Sequence, residues 1–255
     1  MQPADLARYL EFAVDIAKHA GALTLEYFQH SPHEETKSDH TPVTEADRGA
    51  EQLLRSRIEE RYPDHGILGE EFGEKTAQLP VRWILDPIDG TYSFISGVPL
   101  YATLIALEWE QAMVLGVIHL PALRETIYAA KGLGCWWNGR PARVSTTATL
   151  AEARMCHTGT RGFLQIGCED SFRRLRDACR ADRGWSDAYA YALVATGRAE
   201  VAIDPRMSLW DVAALYPIIQ EAGGQISDWC GNDNPHAGNA VATNGLLHRQ
   251  ALAHL

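Results

Sequence analysis

The sequence predicts a layered α/β protein, and three observations carry that prediction. Beyond residue 145, strand-like and helix-like segments alternate, an order that stacks helices on sheets. Before residue 145, three strand-like runs follow one another across short turns, as in an antiparallel meander. A chain of 255 residues with 46% apolar content is long enough for one compact unit or two layered subdomains. The expected organisation is an N-terminal α+β subdomain over 1–145 and a C-terminal α/β subdomain over 146–255.

Composition narrows the function classes. Twenty-three Lys and Arg against 33 Asp and Glu leave a net charge of −10, which argues against nucleic acid or an anionic membrane as main partner. No basic-then-apolar leader opens the chain, and no apolar run approaches the ~18 residues of a membrane span, so a cytoplasmic protein is expected. The five cysteines are odd in number and contain no C-x-x-C pair, in keeping with reduced thiols.

Residues 5–28 read as an amphipathic helix, with Leu6, Leu10, Ala13, Ala17, Ala20 and Leu23 recurring at three or four. The polar stretch 30–40 reads as a loop; its three histidines have no second cluster at zinc-like spacing. Thr44 has the character of an N-cap with Asp47 in the capping-box place, opening a helix that stops before Pro63. Residues 67–69 form a short strand running into Glu70-Glu71, and adjacent strand acids point to opposite sides, so one of them serves a given site. A buried strand over 83–86 is expected to stop at Pro87.

The meander then occupies 102–107, 113–118 and 125–130, followed by a loop region from Gly132 to Pro141. Trp136 and Trp137 in that loop read as packing or dimer-contact aromatics. Further on, 153–157 suggests a strand, 172–179 and 187–196 helices, 200–203 a strand and 209–221 a single helix ended by Gly223-Gly224. Gln225–Ser227 and Ala240–Thr243 read as closing strands. Cys168 and Arg174 match a C-x5-R spacing, but Glu169-Asp170 between them would repel an anion and raise the thiol pKa.

The candidate site begins at Asp86-Pro-Ile-Asp89-Gly90-Thr91. Pro87 and Gly90 turn the chain so that both carboxylates face one point, where they suit a divalent cation. The N–H groups of Gly90 and Thr91 suit a phosphate. The plainer alternative is a polar surface turn. Glu70 closes its strand as Asp86 does, which favours a shared metal site. Asp47 and Asp211 sit at helix starts, where capping by itself explains them and a site role needs a partner from elsewhere in the chain. Asp187 also reads as a cap, and Asp204 as a turn residue.

Taken in order, Glu70-Glu71, DPIDGT, Trp210-Asp211-x-Ala213-Ala214 and Ala222-Gly223-Gly224 resemble the motifs of the inositol monophosphatase superfamily. The resemblance runs from Thr41 to Gly224. It implies an α/β/α/β/α sandwich, a homodimer, and two or three Mg²⁺ ions held by Glu70, Asp86, the Ile88 carbonyl, Asp89 and Asp211. It further implies a small phosphate monoester as substrate, with Thr91 and Asp47 ordering the attacking water and Glu71 in support. The run DPIDGTYSFISGVPL, and SDAYAYAL ahead of ATGR, are similar to the branch that acts on histidinol phosphate. In that branch Asp187 and Asp204 become candidates for reading the alcohol, whose ammonium and imidazole favour anionic contacts. Tyr92 departs from the Lys often found there. The alternatives are an inositol, sugar or nucleotide phosphate as substrate, or a non-catalytic regulator that binds metal or phosphate.

Overall fold

The computed structural model describes residues 2–30, 34–36, 42–185 and 187–255. The helix Pro3–Tyr27 buries Leu6, Leu10, Ala13, Ala17 and Ala20 along one stripe, as the spacing predicts. The helix Glu45–Arg61 starts on the expected capping box: Asp47 Oδ2 accepts the Thr44 N–H at 2.8 Å and the Thr44 hydroxyl at 2.6 Å. Much of the expected loop at 30–40, with His33 and His40, lies outside the described residues. Within it Glu34–Thr36 pairs antiparallel with Pro42–Thr44, so that stretch is extended backbone rather than loop.

These two helices cover one face of an 8-stranded sheet. Its central members are Gly66–Gly69, Val81–Asp89, Ala102–Trp109 and Ala112–Leu120. Trp83, Leu85, Ile105, Leu107, Leu115 and Val117 point to the two helices, while Ile84, Leu104, Ala106 and Ile118 point the other way. Burial on both faces explains why these strands are continuously apolar rather than alternating. Each fully buried Leu or Ile contributes roughly 1.5–3 kcal/mol, so both faces hold the sheet in place.

Three expectations need correction. Val81–Asp89 continues through Pro87, which sits where the register against Ala102–Trp109 shifts between Asp86 and Asp89. A bulge needs no ladder N–H, so proline is admitted there. The expected loop at Gly132–Pro141 instead pairs as Gly134–Trp137 with Arg140–Pro141 and extends the sheet. The expected helix over 209–221 is broken into Leu209–Val212 and Leu215–Glu221. Pro217 has no N–H for the Ala213 carbonyl four residues back, and its ring crowds that carbonyl. The Ala214 carbonyl at the break fills the space a Gly116 side chain would need.

Ala188–Ala195 and the two halves of the broken helix form a middle layer between the sheets. The sequence AYAYALVA is apolar all round because this layer is covered on both sides. Its far cover is a 5-stranded sheet ordered Ala181–Arg183, Arg154–His157, Val201–Asp204, Ala240–Thr243, Gln225–Ser227. Thr160–Gln165, Glu169–Ala178 and His248–Leu252 close its outer face around Phe163, Phe172 and Leu175. The layers are therefore α/β/α/β/α. The strand Ala181–Arg183 and the helices Thr160–Gln165 and His248–Leu252 have no counterpart in the sequence reading, being short and without period.

Among the described residues four histidines are buried, and two of them, His119 and His248, carry the largest shifts. His119 meets Thr126 Oγ1 at 2.9 Å, and His248 lies between Ser227 Oγ at 2.8 Å and Thr243 Oγ1 at 3.2 Å. Burial pushes both down to about 4. The unfolded chain binds their protons first, so the stability they contribute is present above pH 6.5 and is lost as pH falls from 6.5 toward 4. We expect His119→Asn to reduce the loss of unfolding free energy between pH 6.5 and 4.5 by roughly 2 kcal/mol. Urea melts at pH 6.5 and 4.5 check this; equal losses in variant and wild type would exclude it.

Candidate active site

Gly66–Gly69 and Val81–Asp89 run parallel, with Gly69 opposite Leu85, so Glu70 and Asp86 leave the sheet side by side at the same edge. The Glu70 N–H donates to the Leu85 carbonyl at 3.2 Å. The bulge then carries the chain from Asp86 to Asp89, pinned by the Thr103 hydroxyl, which donates to the Pro87 carbonyl at 2.9 Å. Gly90 follows at φ 83°, a left-handed conformation suited to glycine. A Cβ on Gly90 would also stand 2.7 Å from Asp187 Oδ2. Thr91 opens the short helix Thr91–Ile95, and its hydroxyl donates to the Ile88 carbonyl at 3.2 Å.

The middle layer supplies the other wall. Asp211 stands third in Leu209–Val212, and its Oδ2 accepts the Ser208 N–H at 2.7 Å. Asp89 Oδ2 accepts the Ala188 N–H at 2.7 Å, which ties the bulge to the start of Ala188–Ala195. One oxygen each from Asp86, Asp89 and Asp211 lies within 4.8 Å of the others. Together with Glu70, Ile88, Gly90, Thr91, Tyr92, Thr158 and Asp187 they line a cleft of about 370 Å³.

The electrostatics of this cleft are one-sided. Burial, and then Glu70, Asp89, Asp211 and Asp47, push Asp86 well above the ordinary carboxylate range. Burial, followed by Asp187 and Asp211, does the same to Asp89. Asp211 is pushed up to about 7, again by burial first, with Glu70 and Asp187 adding to it. Asp86 Oδ1 is buried without a hydrogen-bond partner among the described residues. A set of hard oxygens, clustered, buried and partly unsatisfied, fits a divalent cation of the oxygen-loving kind.

Asp187 lines the cleft at φ 55° and ψ −148°, a conformation that costs a non-glycine residue on the order of 1–3 kcal/mol. Its N–H donates to Thr158 Oγ1 at 3.3 Å. Asp204, expected to read a substrate directly, is not part of the lining: it ends a strand of the 5-stranded sheet, under Tyr191 of the middle layer. It is buried, accepts the Thr158 N–H at 3.0 Å and the Tyr191 hydroxyl at 3.1 Å, and burial pushes it up to about 7. Asp47 keeps its cap on Thr44 and lies near enough to raise Asp86. Glu71 is not part of the lining; its N–H donates to Glu51 instead. Thr158 and Ser208 are lining residues that sequence reasoning missed, as a lone Thr after a strand and a Ser before a helix carry no distinguishing local signal.

Comparisons with known proteins agree on one lineage. The model of the inositol monophosphatase family matches residues 5–255. A histidinol-phosphatase of Chlorobaculum parvum is 46% identical over 246 residues, covering 96% of this chain and 95% of the relative. A histidinol-phosphatase of Mycobacterium tuberculosis is 42% identical over 226 residues, 87% of each chain. An inositol monophosphatase structure from Zymomonas mobilis superposes with a TM-score of 0.87 at 32% identity over 97% of each chain.

The raised carboxylates make a prediction about cation binding. Stability from a protonated carboxyl is present below its unfolded pKa and is lost as pH rises through its folded pKa, about 7 for Asp211. The repulsion that a cation relieves is thus larger at pH 8 than at pH 6. Thermal melts in EDTA and in saturating Mg²⁺ should show a larger upward shift of Tm at pH 8. A shift of the same size at both pH values, or none, would count against these carboxylates as the binding group.

Proposed function

Because this chain belongs to the inositol monophosphatase family, we propose that it is a Mg²⁺-dependent phosphomonoesterase acting on L-histidinol phosphate. Water attacks phosphorus, the P–O bond to the alcohol breaks, and L-histidinol and inorganic phosphate leave. The observation that carries this reading is the convergence of Asp86, Asp89 and Asp211 beside the Gly90-Thr91 turn in one small cleft. The names of the relatives that share 42–46% identity support the substrate.

In this reading Glu70, Asp86, the Ile88 carbonyl, Asp89 and Asp211 hold two or three Mg²⁺ ions. When bound, the cations supply Lewis-acid charge for the phosphoryl and leaving oxygens and make water a better nucleophile. The chain does the rest. Gly90 and Thr91 direct N–H groups at the phosphoryl oxygens. The Thr91 hydroxyl orients the attacking water, with Asp47 ordering that corner and Glu70 in support. No serine or cysteine nucleophile is required, so water strikes directly and oxygen from labelled water ends in phosphate. A trapped phospho-enzyme would contradict this.

Asp187 takes the ammonium of the alcohol in a charge-assisted hydrogen bond, and Asp204 acts one step removed, by holding Thr158 under it. Metal ligands therefore come mostly from 1–145 and specificity residues from 146–255. The same proposal includes a homodimer and a cytoplasmic location. The latter is supported by five unpaired cysteines and, among the described residues, by no helix long and apolar enough to cross a membrane. Inositol phosphate is the second reading, supported by the inositol monophosphatase likeness in three dimensions.

A substrate panel decides between them: kcat/KM should be highest for histidinol phosphate, and a preference for inositol 1-phosphate would reverse the assignment. Asp89→Asn and Asp211→Asn should each lower kcat by on the order of 10²-fold or more. Asp187→Asn should raise KM for histidinol phosphate more than for a polyol phosphate, whereas equal effects would remove Asp187 from substrate recognition.

A further inference from the structure

Glu51 is a fully buried carboxylate outside the cleft, one helical turn beyond Asp47 on Glu45–Arg61. Its Oε2 accepts the Glu71 N–H at 2.7 Å, and its Oε1 accepts the Phe72 N–H at 3.2 Å. Arg55 Nε donates to Oε1 at 2.7 Å, while Arg55 Nη2 donates to the Gly73 carbonyl. On the other side of Glu70, Gly69 packs so closely on Glu51 that a Cβ there would overlap the carboxylate. Glu70 is thus bracketed: the residue before it rests on Glu51, and the two after it hang from Glu51 by their amides.

Packing alone does not account for this arrangement. Burying an ion pair costs desolvation that an apolar pair of the same volume avoids. What the carboxylate provides is two directed acceptors for consecutive amides, which set the path of 69–72 rather than just filling space. That path decides where the Glu70 side chain points, and the helix that sets it also carries Asp47. We propose that Glu51 is a positioning residue that holds Glu70 in its metal-binding orientation and fixes it relative to Asp47. This rests on the reading of Glu70 as a metal ligand.

The test uses the full chain and Mg²⁺ alone as probe. Mg²⁺ is titrated against thermal stabilisation for wild type, Glu51→Gln and Glu70→Gln, and kcat and KM are measured at saturating Mg²⁺. Glu51→Gln should raise the half-saturating Mg²⁺ concentration at least about tenfold. It should also lower kcat while leaving KM for the ester within about twofold. A folded Glu51→Gln with an unchanged Mg²⁺ midpoint overturns the inference when Glu70→Gln shifts that midpoint. An unshifted Glu70→Gln overturns the ligand reading itself. If Glu51→Gln does not fold, amide exchange in the wild type decides. Glu71 and Phe72 should be protected with or without Mg²⁺, and fast exchange at both excludes the grip.

Discussion

Three carboxylate oxygens that lie within 4.8 Å of one another, two of them on buried residues, repel with an energy that rises as solvent is excluded. Left to themselves, such groups would swing apart or take up protons, and burial first and that repulsion second raise the pKa values of Asp86, Asp89 and Asp211. The surrounding structure resists it locally. Asp89 is tethered to the Ala188 amide, Asp211 to the Ser208 amide, and the bulge between Asp86 and Asp89 to the Thr103 hydroxyl. A site strained in this way is one that a divalent cation would relax, which is the constraint the proposed function rests on.

Under the proposed function, two of the acidic residues would serve twice. Asp47 and Asp211 both occupy the third position of a helix and accept the amide of the residue that caps it. In each case the helix gains a satisfied N-terminal donor, and the carboxylate gains a fixed orientation, at the cost of one hydrogen bond. A carboxylate on a mobile loop would have to be ordered whenever it bound; on a helix start it is ordered by folding. Under the proposed function, capping and site-building would be one interaction seen from its two ends, and the two readings of these aspartates would not compete.

The middle layer makes the convergence possible. Ala188–Ala195 and the broken helix lie between two sheets, in contact with both, and their N-terminal ends bring Asp187 and Asp211 to the edge where the parallel strands release Glu70 and Asp86. Small alanine side chains keep this layer thin, and the carbonyl of Ala214 seated on Gly116 brings helix and strand into close contact. Pro217 breaks the helix that would otherwise run on, and so leaves Leu209–Val212 as a short separate turn aimed at the cleft.

Much of this was legible locally. The capping box at Thr44 and Asp47, the Gly223-Gly224 helix end with the Gly224 N–H on the Ile219 carbonyl, and the meander depend on residues a few positions apart. What failed did so where distant contacts outweigh local preference. Pro87 ends a strand on propensity, yet a bulge against Ala102–Trp109 absorbs it. Gly132–Pro141 has the composition of a loop, yet a neighbouring strand offers it a free edge. Asp204 looks like any turn acid, yet Thr158 and Tyr191 claim it inside the core. By itself the sequence determined the layered class, most helix starts and ends, and Asp86, Asp89 and Glu70 as acids that suit a cation, because those follow from side-chain periodicity and backbone chemistry within a turn or two; Asp47 and Asp211 read locally as caps. Only the tertiary structure decided which acids share the cleft and which stand behind it, because strand register and burial are set by partners far away along the chain.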